Sequence, residues 1–258
     1  MKTGIIIIAM GGKVYLQEAR ANIRAIWKNW PGARITVFTH VPESFGGPKV
    51  VHRDTPQGSP DGKVEVIEVE DLGGFKNQTR YVRETPYEAT LHLDCDAIPL
   101  KPTAFQPFRM LERFDFVAAH AMARNPEKSQ GMGLPGCFTQ WNCGVMFYNK
   151  GMIPIFQDWD KHFPDRSHNN PQGALARRLW KSEALRVYTL APEWNYRGEL
   201  AHLATPDMIQ IGHSHHVPRM VRQDGSVDPH RFRGWFWSRT IRKLNREGRV
   251  GPPQKGCC

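Results

Sequence analysis

The chain has 258 residues and a formal net charge of +10, which suits one large α/β domain, or one domain with a tail, and favours anionic partners. Nucleotide diphosphates, anionic lipid and nucleic acid all satisfy that balance. The five cysteines are odd in number and show no zinc spacing, which argues against a disulfide framework and for a reducing compartment.

Residues 5–9 are an apolar run bounded by glycine, read as a central parallel strand rather than a signal peptide, because the run is too short for an h-region. Gly11-Gly12 then lets the backbone approach a ligand closely, although no GxGxxG fingerprint is present. Residues 14–30 place Leu16, Ala19, Ile23, Ile26, Trp27 and Trp30 at helical spacing, and Pro31-Gly32 stops that helix. Residues 34–39 form a second strand, giving a right-handed βαβ unit. Residues 42–62 read as loop, 64–69 as strand, and 76–84 as a helix carrying Lys76, Arg80 and Arg83.

Residues 90–100 are the stretch around which the rest is organised. Leu91 and Leu93 alternate as in a short buried strand, which ends in Asp94 and Asp96 and is bounded by Pro86 and Pro99. In an extended segment the two carboxylates share a side and Cys95 faces away. Two such carboxylates repel unless a cation sits beside them. They form a natural seat for a hard divalent ion, whose other positions water and phosphate would fill. Read alone, the pair also suits a solvated loop start.

Further on, residues 103–114 read as helix, 116–119 as strand, and 125–135 as a polar, Gly-rich loop of lid type. Residues 141–149 are a strand in which Gly144 would admit a ligand. Residues 153–163 and 173–181 read as helices, 186–190 as strand, and 208–211 as a last strand running into His213, His215 and His216. Trp194 reads as core and Asn195 as a turn residue. Residues 219–258 are dense in arginine, hold Phe232, Trp235, Phe236 and Trp237, and end in Cys257-Cys258, short of a complete prenylation box. Strands alternating with helices call for an α/β fold with a mostly parallel sheet and helices on both faces, whose ligands sit at the carboxyl ends of the strands.

Four pieces in order resemble a family of GT-A-fold nucleotide-sugar glycosyltransferases, the retaining group that includes glycogenin and lipopolysaccharide galactosyltransferases. They are Leu91-His92-Leu93-Asp94-Cys95-Asp96, Trp141-Asn142-Cys143-Gly144-Val145-Met146, Gln172-Gly173-Ala174-Leu175 with Pro192-Glu193-Trp194-Asn195, and Ile209-Gln210-Ile211-Gly212-His213. The chain departs from the family at Pro171, where the family has Asp, and in lacking a Gly-x-Lys-Pro-Trp run after the histidine; Arg219 is an available cation there.

The resemblance implies a GT-A catalytic domain over residues 1–218 and a basic extension over 219–258. It implies Mn²⁺ or Mg²⁺ held by Asp94, Asp96 and His213, with Asp94 also on the donor ribose, and it implies a catalytic set of Asp94, Asp96 and Gln172. Donor contacts fall on Ala9, Gly11, Lys76, Asn142, Gly144 and Asn195, the donor being a UDP-sugar. Without the resemblance, His213 is as readily an exposed loop residue; Asn142 and Gln172 also suit structural caps, and Lys76, chosen for its position ahead of the strand that ends in Asp94 and Asp96 rather than from the resemblance, more often belongs to a solvated helix face.

The expected acceptor is a glycan or lipid-linked glycan, reached by a cytoplasmic protein with peripheral attachment to an anionic membrane. Glycosylation of nucleic acid and binding of nucleotide sugars without turnover are the alternatives.

Overall fold

The computed structural model describes residues 1–47, 63–121, 133–138, 140–163, 171–197 and 205–246. The lid-type loop falls mostly outside these residues, as does Cys257-Cys258. Among the described residues, no helix is long and apolar enough to cross a membrane.

β1 (Thr3–Ala9) leads through Gly11, at φ +86°, into α1 (Lys13–Asn29) and then β2 (Arg34–Thr39). β3 (Lys63–Glu68), α2 (Phe75–Tyr81), β4 (Ala89–Leu93) and β5 (Ala97–Pro99) follow. Next come β6 (Phe116–His120), β7 (Trp141–Asn149), α3 (Ile153–His162), α4 (Pro171–Trp180), β8 (Val187–Leu190), β9 (Ile211–His213) and α5 (Pro229–Arg246).

The main sheet has the order β3-β2-β1-β4-β7-β6-β8. β7 runs antiparallel to both its neighbours, and the other pairings are parallel. Both faces are covered, so the strands read as near-continuous apolar runs. On one face Ile5, Ile7, Leu91 and Phe147 pack with Ile23, Ile26 and Trp27 of α1. On the other, Ile6, Met146 and Tyr148 pack with Phe156 and Trp159 of α3 and Leu175 and Leu179 of α4. The alternation of Ile5, Ile6 and Ile7 between layers follows from the two-residue period of a strand.

Two connections position the site. Register pairs Ile7 with Leu93, so β1 and β4 end side by side. β5 pairs antiparallel with β9 in a separate small sheet, with Ala97 opposite His213.

The structure corrects several expected elements. The last strand begins at Ile211 rather than 208, because Pro206–Met208 form a 3-10 turn and Gln210 N donates to Glu193 O. The helix expected at 103–114 is a 3-10 run, Pro102–Glu112; Pro107 inside it supplies no N–H and disfavours a regular α-helix. β4 stops at Leu93, and Asp94 to Asp96 form a turn closed by Ala97 N donating to Asp94 O at 3.0 Å.

In α5, Phe232, Trp235 and Phe236 lie at i, i+3 and i+4, the spacing of a buried helical face. They pack with Tyr196, Ile209, Val217 and Met220, and Tyr196 stacks on Phe236 at 5.2 Å. Three of the four aromatic rings of the arginine-rich tail are therefore core; Trp237 is exposed.

Candidate active site

Asp94, Asp96 and His213 meet where β4 and β9 end and β5 begins, with one candidate ligand atom from each within 4.8 Å of the others. His213 Nε2 lies 3.2 Å from Asp96 Oδ1 and 3.5 Å from Asp94 Oδ2. The strand pairing delivers the histidine: Ala97, paired with His213, directly follows Asp96. Gly144 lets the groups meet. It lies beside Asp94, which donates its N–H to Gly144 O at 2.8 Å, and a Cβ on Gly144 would overlap His213 Cε1 and Asp94 Oδ2.

Charge in the cluster is set by mutual pairing. Burial acts to raise the Asp94 carboxyl, but hydrogen bonds from His213 and His92 hold it well below the usual carboxylate range. Burial acts to lower His213, and its hydrogen bonds to Asp94 and Asp96 outweigh this, raising it to about 9. At neutral pH the imidazolium thus takes the place of the cation that two adjacent carboxylates require.

A chain of amides fixes the imidazole. Gly144 N–H donates to Asn142 Oδ1 at 2.9 Å. A backbone amide is only a donor, so it orients the Asn142 side chain. Asn195 Nδ2 donates to the same oxygen at 2.8 Å, which leaves Asn195 Oδ1 to accept from His213 Nδ1–H at 2.7 Å. Once deprotonated, Nε2 therefore turns its lone pair toward the carboxylates. Two carboxylate oxygens and one imidazole nitrogen, oriented from behind by an amide, fit a divalent cation such as Mn²⁺.

Other side chains steady the two acids. Gln78 Nε2 donates to Cys143 O at 2.9 Å and to Asp94 Oδ1 at 3.2 Å, and Asn22 Nδ2 donates to Asp94 O at 3.0 Å. Glu18 on α1 is buried and holds His215 Nδ1 at 2.9 Å, while that same nitrogen lies 3.5 Å from Asp96 Oδ2. Arg219 is near enough to lower the Glu18 carboxyl against the larger upward effect of burial.

The cluster opens into a cleft of about 540 Å³ whose wall includes Gly11, Tyr15, Asp71, Asn77, Gln78 and Arg197. Gly11 thus lies where the sequence places it, and Ala9 is fully buried at the end of β1 just beneath. Asn142, Gly144 and Asn195 stand behind the Asp94, Asp96 and His213 side chains rather than on the cleft wall.

Two expected residues are elsewhere. Lys76 Nζ is 2.8 Å from Asp160 Oδ1 on α3, and Arg80 and Arg83 reach Asp160 Oδ2 at 3.5 and 3.2 Å. A nearly buried carboxylate with little water around it gathers these cations, which draws Lys76 away from the cleft. Gln172 opens α4, half-buried, and does not line the cleft. The sequence reading missed Gln78, Asn22, Glu18, His215 and Arg197. The first three are polar residues on helix faces that otherwise pack inward, and that placement was their available signal.

No protein-family model and no curated protein matches the chain. Solved structures do. The glycosyltransferase GlyE of Streptococcus pneumoniae TIGR4 superposes with a TM-score of 0.60 at 14% identity, covering 99% of this chain and 66% of that one, so the chain spans just under two thirds of its length. The galactosyltransferase LgtC, solved with donor and acceptor sugar analogs, superposes with a TM-score of 0.59 at 14% identity, covering 96% of this chain and 100% of that one. The fold is that of the GT-A glycosyltransferases.

Proposed function

We propose that this chain is a metal-dependent glycosyltransferase that moves a sugar from a nucleotide-diphosphate donor to a hydroxyl acceptor. The convergence of Asp94, Asp96 and His213 at the mouth of the cleft carries the reading. The glycosyltransferase fold of its structural neighbours supports it.

Transfer breaks the bond from the sugar's anomeric carbon to the diphosphate oxygen, and the electron pair stays on the diphosphate. The same carbon bonds to the acceptor oxygen, whose proton passes to the departing diphosphate oxygen. Asp94, Asp96 and His213 would hold a divalent cation, which when bound would supply Lewis-acid stabilisation of the departing charge. The chain's own groups do the rest. Asn142 and Asn195 orient His213, while Gln78 and Asn22 hold Asp94. Arg197, the one Lys or Arg among the described residues lining the cleft, meets the diphosphate, since a cation aimed at developing charge lowers the barrier.

On this reading residues 1–218 are the catalytic unit and 219–258 an extension. The resemblance adds a UDP-sugar donor, a glycan or lipid-linked glycan acceptor and retention of anomeric configuration. The test is hydrolysis of a panel of nucleotide sugars with Mn²⁺ and with EDTA. The reading requires turnover of at least one donor with Mn²⁺ and none in EDTA; equal turnover in both would contradict it.

A further inference from the structure

A second cleft, of about 430 Å³, lies on another flank of α1 and owes nothing to the metal cluster. Glu18 and Asn22 of this helix turn toward Asp96 and Asp94, while Arg20, Ile23, Arg24 and Trp27 line the second cleft. The opposite wall is the 3-10 turn Pro42–Phe45, with Gln223 closing one side.

Two arginines one helical turn apart share this wall. Arg20 is held in place: its Nη2 donates to Ser44 O, and its guanidinium lies 5.8 Å from the Phe45 ring centroid. Arg24 is partly buried, its Nε is fully buried, and that N–H has no hydrogen-bond partner among the described residues. Burial, and then the neighbouring Arg20 charge, hold the Arg24 guanidinium below its ordinary value. Glu43 also lines the cleft, at its exposed edge, without reaching either arginine in an ion pair among the described residues. Two like charges side by side on one cleft wall are costly unless an anion joins them.

We propose that Arg20 and Arg24 form an anion site for a phosphate group, separate from the donor cleft. Phosphate suits the pair better than carboxylate does. One guanidinium fork takes up both oxygens of a carboxylate, whereas a tetrahedral oxyanion offers oxygens to two forks at once. The phosphate comes either as the free ion or as a monoester on a larger molecule.

The test is calorimetric titration of the full chain at fixed ionic strength in EDTA, with inorganic phosphate, glycerol 3-phosphate and acetate as probes. Wild type is expected to bind phosphate more tightly than acetate, and phosphate at tenfold above its Kd should raise Tm by about 3 °C. Arg24→Gln and Arg20→Gln should each weaken phosphate binding by about tenfold or more, while Arg197→Gln keeps it. Arg24→Gln without phosphate should melt no lower than wild type, because it removes an uncompensated charge. Tighter binding of glycerol 3-phosphate would assign a monoester, and tighter binding of inorganic phosphate the free ion. Phosphate affinity unchanged in both Gln variants, equal affinity for acetate, or a lower melting point for Arg24→Gln would each overturn the proposal.

Discussion

Asn195 Oδ1 lies 2.7 Å from His213 Nδ1, and the Asn195 amide is itself locked by Asn142. This contact decides which imidazole nitrogen faces the two carboxylates. Asn195→Ala should weaken Mn²⁺ binding by about 10–100-fold, the usual cost of losing a group that orients a metal ligand. It should also cost about 1–3 kcal/mol of stability through the unsatisfied polar groups left behind. Titration of Mn²⁺ into the folded variant checks this; an unchanged affinity would mean that the amide chain is only packing.

Gly144 is needed for space rather than for backbone freedom. Gly144→Ala places a methyl group onto His213 Cε1 and Asp94 Oδ2. Overpacking of this kind costs about 1–3 kcal/mol, and here the strain falls on two ligands. The expected result is a protein that folds with a lowered denaturation midpoint and has lost its Mn²⁺ response. Wild-type Mn²⁺ affinity in Gly144→Ala would show that the cluster is looser than its geometry.

His213 gives the metal-free protein an alkaline limit. Its folded value is raised to about 9, above the unfolded value of about 6.5. Its pairing therefore contributes stability that is complete below about pH 6.5 and lost as pH rises through about 9. Asp94 is depressed, so its contribution is present above its unfolded value of about 3.9 and lost on acidification. In EDTA, the denaturation midpoint should fall between pH 7 and 10 in wild type and less steeply in His213→Gln. Parallel curves for the two proteins would remove the ion-pair account.

Arg197 and Lys76 are assigned opposite roles. Arg197→Ala should weaken nucleoside diphosphate binding by tenfold or more while leaving the monophosphate nearly unchanged, which collapses the difference between them. Lys76→Met should leave both affinities intact and lower stability, because Lys76 pairs with Asp160 rather than with ligand. Binding of mono- and diphosphate to the two variants checks the assignment, and the reverse pattern would return Lys76 to the donor site.

Much of this site was legible where chemistry and local pattern coincide. Leu91 and Leu93 alternate ahead of two acids, and Asn142 and Gly144 open an apolar strand, so an acidic pair at a strand end could be read from short windows. His213 was legible as a candidate, but its delivery to Asp96 depends on β5 pairing with β9, a contact between segments more than a hundred residues apart. Lys76 was misplaced for the same reason. Its partner Asp160 is 84 residues away, and nothing near Lys76 announces a buried acid. The tail was read by composition, which shows arginines and aromatics together. Its i, i+3, i+4 ring spacing, which buries Phe232, Trp235 and Phe236, carried the better information.

The central claim is that Asp94, Asp96 and His213 hold a divalent ion that donor turnover requires. The most direct measurement is Mn²⁺-dependent donor hydrolysis by wild type and Asp96→Ala, with folding of both followed by circular dichroism. Asp96→Ala should keep its fold, since His213 retains its pairing with Asp94 and its hydrogen bond to Asn195. It should lose turnover by about three orders of magnitude, on the scale of losing a group that stabilises transition-state charge. Full Mn²⁺-dependent activity in a folded Asp96→Ala protein would contradict the account.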